Sequence, residues 1–307
     1  MTLILGFDDY LTPAQQLAKS LSIPFKRIVL HRFPDGETKV LLPATLPKQV
    51  IICRTLNQPN EKLIELIITA AAARAQGVKF ITLVAPYLCY MRQDIAFHEG
   101  EAVSQKIIGK LLGDYFDRVI TIDPHLHRIN NLSEAISSQA IALHASNAMS
   151  KFLQQHFSQP VLVGPDEESK QWVEAIAKPH HWHYAIATKK RLDDKNVTVS
   201  LATNSDTGDK NSGHNKNNKA LSLTNRDVIL VDDIASTGKT LEQAVEQIQL
   251  QAPSSISIIV THAFFVDDAI TSLTQMGVAN IWSSDSVLHS SNAFSIVDTI
   301  AETLQSY

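Results

Sequence analysis

Short continuous apolar runs alternate with helical patterns along almost the whole chain, and this alternation limits the possible folds more than any other feature. The runs are Leu3–Phe7, Val50–Cys53, Phe80–Ala85, Val119–Ile122, Val161–Val163, His183–Ala187, Val228–Val231, Ile256–Thr261 and Ala279–Trp282. Helical spacing of apolar residues falls near 13–21, 61–76, 102–114, 144–157, 167–178, 239–251, 267–276 and 294–305. Strands rich in Val, Ile and Leu with no polar face are buried on both sides, which predicts an α/β fold of parallel sheets flanked by helices. Ligands of such sheets sit beyond the carboxyl ends of the strands. The polar residues that follow each strand are therefore the ones to read.

The most informative of these stretches runs from Val228 to Leu241, Val-Ile-Leu-Val-Asp-Asp-Ile-Ala-Ser-Thr-Gly-Lys-Thr-Leu. A buried strand, two adjacent carboxylates, a small-residue loop and a helix follow one another. A loop of this kind feeding a helix aims free backbone N–H groups at one point, where an anion binds. Asp232 and Asp233 do not suit a phosphate; they suit sugar hydroxyls or a divalent metal. A sugar phosphate joins both needs. Gly238-Lys239-Thr240 resembles the end of a P-loop, but that motif requires a glycine where Asp233 stands, so we reject it.

The layout repeats. Val50–Cys53, a helix and Phe80–Val84 match Val228–Val231, a helix and Ile256–Val260, with Arg54-Thr-Leu-Asn-Gln-Pro-Asn in the first copy where the second has the acidic loop. With 307 residues, this predicts two similar domains, 1–144 and 145–307, the second alone carrying the sugar-phosphate loop. The C-terminal helix is expected to return to the first domain. The polar, low-complexity segment 202–222 interrupts the second and is read as a mobile insertion.

Composition narrows the partners. Apolar residues make up 44% and charged residues 19%, with a formal net charge of -4. There is no basic block, which argues against nucleic acid, and no run approaches a membrane span. The first residues lack the basic and cleavable apolar regions of a signal peptide. Cys53 and Cys89 lie in apolar contexts, read as small buried hydrophobes in a reducing, cytoplasmic setting.

Other strand ends carry further chemistry. Arg32-Phe33-Pro34-Asp35-Gly36-Glu37 has the residues of a tight turn, and its Phe and two acids suit an adenine ring and ribose hydroxyls. Arg92 and Gln93 follow the third apolar run, and an arginine there suits a polyphosphate. His125 and His127 alternate with apolar residues after Val119–Ile122, an arrangement suited to a divalent metal. Asp166 closes Val161–Gly164. Lys189, Lys190 and Arg191 follow His183–Ala187; cations on a loop there would neutralise a triphosphate as its bridge breaks.

Taken in order, these motifs resemble those of the ribose-phosphate diphosphokinase (PRPP synthetase) family over nearly the whole chain. The resemblance rests on R-F-P-D-G-E at 32–37, P-Y-L-C-Y-M-R-Q-D at 86–94 with G-E-A-V-S at 100–104, D-P-H at 123–125, P-D at 165–166, K-K-R at 189–191 and V-D-D-I-A-S-T-G-K-T at 231–240. It implies two domains of the type I phosphoribosyltransferase kind and transfer of the diphosphoryl group of ATP to the anomeric hydroxyl of ribose 5-phosphate. It further implies ATP contacts at Phe33, Asp35, Gly36, Glu37, Arg92 and Gln93, with the 33–37 segment reaching a neighbouring subunit of a homo-oligomer. Ribose 5-phosphate would meet Asp232, Asp233, Ser236, Thr237, Gly238, Lys239 and Thr240. Mg²⁺ would meet His125 and Asp166, and Lys189 and Arg191 would act in catalysis. The chain departs from the family's usual form at Glu167-Glu168-Ser169, Ser236 and Lys239. A non-catalytic regulatory subunit of such an assembly, or a phosphoribosyltransferase sharing only the last motif, are the alternatives.

Overall fold

In the computed structural model of the chain, residues 1–193, 196–203 and 221–307 are described, those from 188 to 203 by their backbone alone. Residues 204–220, the greater part of the expected insertion, lie outside the described residues. The chain forms two compact units: an N-terminal unit of 1–145, 285–288 and 295–307, and a C-terminal unit of 146–284 and 289–294.

The N-terminal unit contains β1 (Thr2–Gly6), α1 (Leu11–Leu21), β2 (Phe25–Arg27), β3 (Val29–Arg32), β4 (Thr38–Leu41), β5 (Gln49–Cys53), α2 (Pro59–Ala75), β6 (Phe80–Val84), α3 (Ser104–Tyr115), β7 (Arg118–Ile122) and β8 (Gln139–Leu143). Its main sheet is parallel, in the order β2-β1-β5-β6-β7-β8. β3 and β4 form a separate antiparallel hairpin.

The C-terminal unit contains α4 (Ser146–His156), β9 (Val161–Gly164), α5 (Lys170–Ala177), β10 (His183–Asp193), β11 (Asn196–Thr203), β12 (Asp227–Ala235), α6 (Lys239–Gln249), β13 (Ser255–Ala263), α7 (Ala269–Gln275), β14 (Asn280–Ser284) and β15 (Asn292–Phe294). The sheet order is β11-β10-β9-β12-β13-β14-β15, parallel except for the β10–β11 pair. The last helix, α8 (Val297–Gln305), belongs to the N-terminal unit.

The repeat read from the sequence is present in the topology. Numbered by appearance, the parallel strands β1, β2, β5, β6, β7, β8 of one unit and β9, β10, β12, β13, β14, β15 of the other both stand in the order 2-1-3-4-5-6. Each unit carries an antiparallel hairpin at its second parallel strand: β3–β4 follows β2 in one, and β10 itself extends into a hairpin with β11 in the other. The central strands are fully buried, as in Leu5, Ile52 and Leu83 of one core and Val163, Val228, Leu230 and Ile258 of the other. α6 buries Leu241, Ala244, Val245 and Ile248, one stripe of a 3.6-residue period.

Two local expectations are corrected. Asp232 and Asp233 do not follow the strand but lie inside it, because β12 continues to Ala235 and keeps pairing with β13 through Ile234 and His262. Lys189 and Arg191 do not lie on a loop after the strand; β10 extends to Asp193, with Lys189 opposite Val199 and Arg191 opposite Val197 on β11. Hairpin formation there lets polar residues continue a strand whose apolar part is short. No helix among the described residues is long and apolar enough to cross a membrane. Both cysteines are free and buried, and burial pushes each thiol up to about 12.

Candidate active site

In sheets of this order the chain reverses direction of growth between the first and third strands, and the carboxyl ends there open a crevice. In the C-terminal unit those strands are β9 and β12. β9 ends at Gly164, where an added Cβ would meet Ser169 Oγ at 2.2 Å, so only glycine admits the turn that follows. The buried Ser169 hydroxyl donates to the Asp166 carbonyl at 2.5 Å. Asp166 Oδ1 accepts from the backbone N–H groups of Glu168 and Ser169, both at 3.1 Å. Ser169 thus completes the turn that presents Asp166, while Glu167 and Glu168 face solvent.

Asp232 and Asp233 stand at the end of β12. Asp232 Oδ1 accepts from the Asp233 N–H at 2.9 Å, and Asp233 is 3% exposed. Burial, then the charges of Asp233 and Asp166, hold the Asp232 carboxyl well above the usual carboxylate range. Three carboxylates therefore sense one another at this crevice. The residues Ser236–Gly238 bridge β12 and α6, and their path is fixed from outside: Ala235 O accepts from Phe264 and Phe265 N–H, and Ser236 O from Val266 N–H. Gly238 holds φ +75° as the N-cap, with a would-be Cβ 3.2 Å from that of Ala269, so it meets both the backbone and the packing demand. The first turn of α6 leaves N–H groups without intrahelical partners, beside exposed Thr237, Lys239 and Thr240 and half-buried Ser236. The short loop, with Asp233 inside a strand, is not a P-loop.

The N-terminal unit carries the other candidates. Phe33, Asp35, Gly36 and Glu37 form the exposed tip of the β3–β4 hairpin, closed by Phe33 N–H to Glu37 O at 2.8 Å and Glu37 N–H to Asp35 Oδ1 at 3.1 Å. Arg92 is exposed and has no carboxylate partner among the described residues. Gln93 is engaged within its own loop: its side chain accepts from Ser104 N–H at the start of α3 and donates to Ile95 O at 3.1 Å. Next to it, the Asp94 side chain is 2% exposed and meets Arg128 at 2.6 Å.

His125 and His127 follow β7 with ring centroids 4.2 Å apart. The stretch that bears them begins at Asp123, which the sequence reading named only as part of the D-P-H motif. Asp123 has φ +37° and a fully buried side chain. Its carboxylate accepts from His144 Nδ1 at 2.9 Å and Ala145 N–H at 3.1 Å. That hydrogen bond raises the His144 imidazole above its ordinary value. The signal for Asp123 was only its place directly after a buried strand; His144, at the end of a strand that sequence reading missed, gave none. The side chains of Lys189 and Arg191 lie outside the described residues.

Comparison with known proteins adds a family. A model of the N-terminal domain of ribose phosphate pyrophosphokinase matches residues 3–115, and one of the phosphoribosyl transferase domain matches 133–272. The chain is 28% identical over 306 residues to ribose-phosphate pyrophosphokinase of Methanopyrus kandleri, covering 99% of this chain and 98% of that protein. It is 29% identical over 293 residues to ribose-phosphate pyrophosphokinase 2 of Archaeoglobus fulgidus, covering 95% and 96%. A phosphoribosylpyrophosphate synthetase structure from Mycobacterium smegmatis shares the fold, with a TM-score of 0.79 at 19% identity, over 100% of this chain and 98% of that one.

Proposed function

The chain belongs to the ribose-phosphate pyrophosphokinase family, and from that premise we propose how its own residues serve the reaction. The enzyme transfers the diphosphoryl group of ATP to the anomeric hydroxyl of ribose 5-phosphate. The hydroxyl oxygen bonds to the β-phosphorus, the bridge to the α-phosphate breaks, AMP leaves with the bridging oxygen, and the hydroxyl proton passes to solvent. The observation that carries the assignment of the sugar site is the crevice between β9 and β12, where three mutually sensed carboxylates stand beside the N-terminus of α6.

The two ends of that crevice fit the two ends of the sugar phosphate. N–H groups of Ser236–Thr240 and the first turn of α6 take the 5-phosphate. Lys239 adds its charge there. Asp232 and Asp233 accept from the ribose hydroxyls, which fixes the direction of the anomeric hydroxyl and turns an encounter into a positioned attack. On the nucleotide side, Arg92 suits the polyphosphate as a fork of donors, and the exposed hairpin tip of Phe33, Asp35, Gly36 and Glu37 suits an adenosine moiety held by a neighbouring subunit of a homo-oligomer. Gln93 acts chiefly by holding the Arg92 loop to α3. Lys189 and Arg191 offset the charge that builds as the bridge breaks.

Magnesium fits the donors present. Carboxylate oxygens are its preferred ligands, and an acid cluster that raises its own proton affinity is one that a cation would relieve. On this reading Asp166 in the C-terminal unit and His125 in the N-terminal unit are magnesium ligands. The bound ion supplies charge neutralisation on the triphosphate. Two buried reduced thiols suit a cytoplasmic compartment.

The direct test is to incubate the purified protein alone with Mg-ATP and ribose 5-phosphate. AMP formed in step with the sugar diphosphate is the expected result. No AMP would mean a non-catalytic subunit, or an enzyme that consumes the sugar diphosphate instead. Activity per chain should also fall on dilution, as an assembly sharing its ATP site dissociates; a fully active monomer in sedimentation would remove the hairpin from the ATP site.

A further inference from the structure

The segment after β7 carries a histidine on either side of Leu126. Leu126 packs on the core of the N-terminal unit, with half-buried His125 and exposed His127 on either side of it. Their rings meet edge to face with centroids 4.2 Å apart, and a ring nitrogen of each lies within 4.8 Å of one on the other. Two metal–imidazole bonds of about 2.0–2.1 Å span nearly that distance, so a small rotation of the exposed His127 ring brings both nitrogens onto one ion. The anchor of the segment is stiff: Asp123 N–H donates to Leu143 O at 2.8 Å, and its buried carboxylate is held by His144 and Ala145.

We propose that His127 is a second imidazole ligand to the metal at His125, and that this pair tunes the N-terminal unit's cation site toward nitrogen-loving divalent ions such as Co²⁺, Ni²⁺ or Zn²⁺. The inference rests on the reading of His125 as a metal ligand and adds to it the ion it selects. A single imidazole among oxygen donors leaves magnesium competitive. A second one changes the donor set, because imidazole favours the later first-row ions whereas magnesium favours carboxylate, carbonyl and water. The side chain of an i, i+2 neighbour adds this ligand with no change to the fold.

Calorimetric titration of Co²⁺ and of Mg²⁺ into the nucleotide-free protein tests it, with the visible spectrum of bound Co²⁺ as a second readout. His127→Ala should weaken Co²⁺ binding by about tenfold or more, since even partners that only orient a ligand are worth 10–100-fold, and should alter the Co²⁺ spectrum while leaving Mg²⁺ binding within twofold. His125→Ala should weaken both ions. Thermal melts of each variant establish that the fold is kept, which the exposure of His127 favours. If His125→Ala weakens Co²⁺ and His127→Ala does not, the second ligand is overturned while the reading of His125 stands. If neither variant changes Co²⁺ binding, both fall. Equal losses of Co²⁺ and Mg²⁺ in His127→Ala would overturn the selectivity.

Discussion

At the carboxyl ends of β1 and β5 in the N-terminal unit, Arg54 is buried with its guanidinium 4.0 Å from the ring centre of Phe7. It pairs with Asp9 at 3.1 Å and with Glu65 at 2.6 Å. Lys62 reaches Asp9 at 2.9 Å and donates to Thr55 O and Asn57 Oδ1 at 3.0 and 2.6 Å, tying down the loop after β5. At the carboxyl ends of β9 and β12 in the C-terminal unit, Asp166, Asp232 and Asp233 share the equivalent place, and burial, then the charges of Asp233 and Asp166, makes Asp232 hold its proton more firmly. Arg54 follows Val50–Cys53 as Asp232 follows Val228–Val231. One charge reversal, at one position of a repeated topology, separates a crevice that is filled from one that is open.

The difference teaches where strain is tolerated. A buried ion pair contributes little net stability relative to an apolar core, yet losing one partner is costly because the other charge is left buried. The N-terminal crevice is closed in that sense, its acids neutralised by side chains of its own loop and helix. The C-terminal crevice instead gathers acids, and the raised proton affinity of Asp232 is the condition expected of a site that receives hydroxyl donors or a cation. The hairpins at the second parallel strand diverge likewise. One presents Phe33, Asp35 and Glu37 at its tip; the other carries Lys189 and Arg191 along β10.

The comparison breaks most readily at Arg54. Arg54→Met leaves the buried Glu65 without its cation, while Asp9 keeps Lys62, and should cost about 3–5 kcal/mol of stability, read as a lower denaturant midpoint. Arg54→Met with Glu65→Gln should recover part of it. A single variant that melts like the parent would mean that the N-terminal crevice is not held by this network.

The two hairpins give the next largest effect. Lys189→Ala should lower kcat by about 10²-fold at saturating substrates, as loss of a preorganised charge donor does elsewhere, with KM little changed. Phe33→Ala should instead raise the KM for ATP, by the few-fold that an aromatic contact of about 0.5–1.5 kcal/mol implies. Deleting 205–218 should do much less than Lys189→Ala. A crippled deletion beside a near-normal Lys189→Ala would move the catalytic group to that segment.

Much of this was legible in the sequence, and the gaps follow a physical pattern. Buried parallel strands announce themselves because both faces are apolar, so Val50–Cys53 and Val228–Val231 were readable, and their repetition gave the duplicated layout. β2, β3, β4, β8 and β15 were not seen; they lie at sheet edges or in a two-stranded ribbon, where half the residues face solvent and the apolar run is broken. The same cause hid the true length of β10 and β12, whose polar ends continue the backbone ladder. Motif residues of the C-terminal crevice were found because acids after a buried strand are unusual. Arg54 was noticed only as a difference in the repeat, since its partners Asp9 and Glu65 are 45 and 11 residues away in sequence (54 − 9 and 65 − 54) and only the fold brings them together. Asp123 with His144 escaped for the same reason.

The open crevice can be tested on binding with one conservative change. Asp232→Asn keeps the shape and removes the charge that accepts from ribose hydroxyls. Ribose 5-phosphate affinity should fall by about 1.5–3 kcal/mol, the range for hydrogen bonds to charged groups, with ATP affinity nearly unchanged. An equal loss for ATP would mean that the acid serves the nucleotide.

The smallest effect expected is also the one that separates the two crevices by sign. The Asp232 carboxyl is raised in the folded state, so its contribution is fully present below the unfolded carboxylate value of about 3.9 and is lost as pH rises through the folded value. Above the unfolded value, ionisation of this group therefore opposes folding. Asp232→Asn should stabilise the protein there, by about 0.5–2 kcal/mol as charge optimisation typically does, while weakening the ligand. The gain should shrink as pH is lowered toward the unfolded carboxylate value, because the parent then protonates Asp232 itself. Arg54→Met moves stability the opposite way at the matching position. Melts of parent and both variants across this pH range decide the matter. An Asp232→Asn protein less stable than the parent at neutral pH would show that this carboxylate is compensated within the fold, and that the two crevices differ in ligand but not in strain.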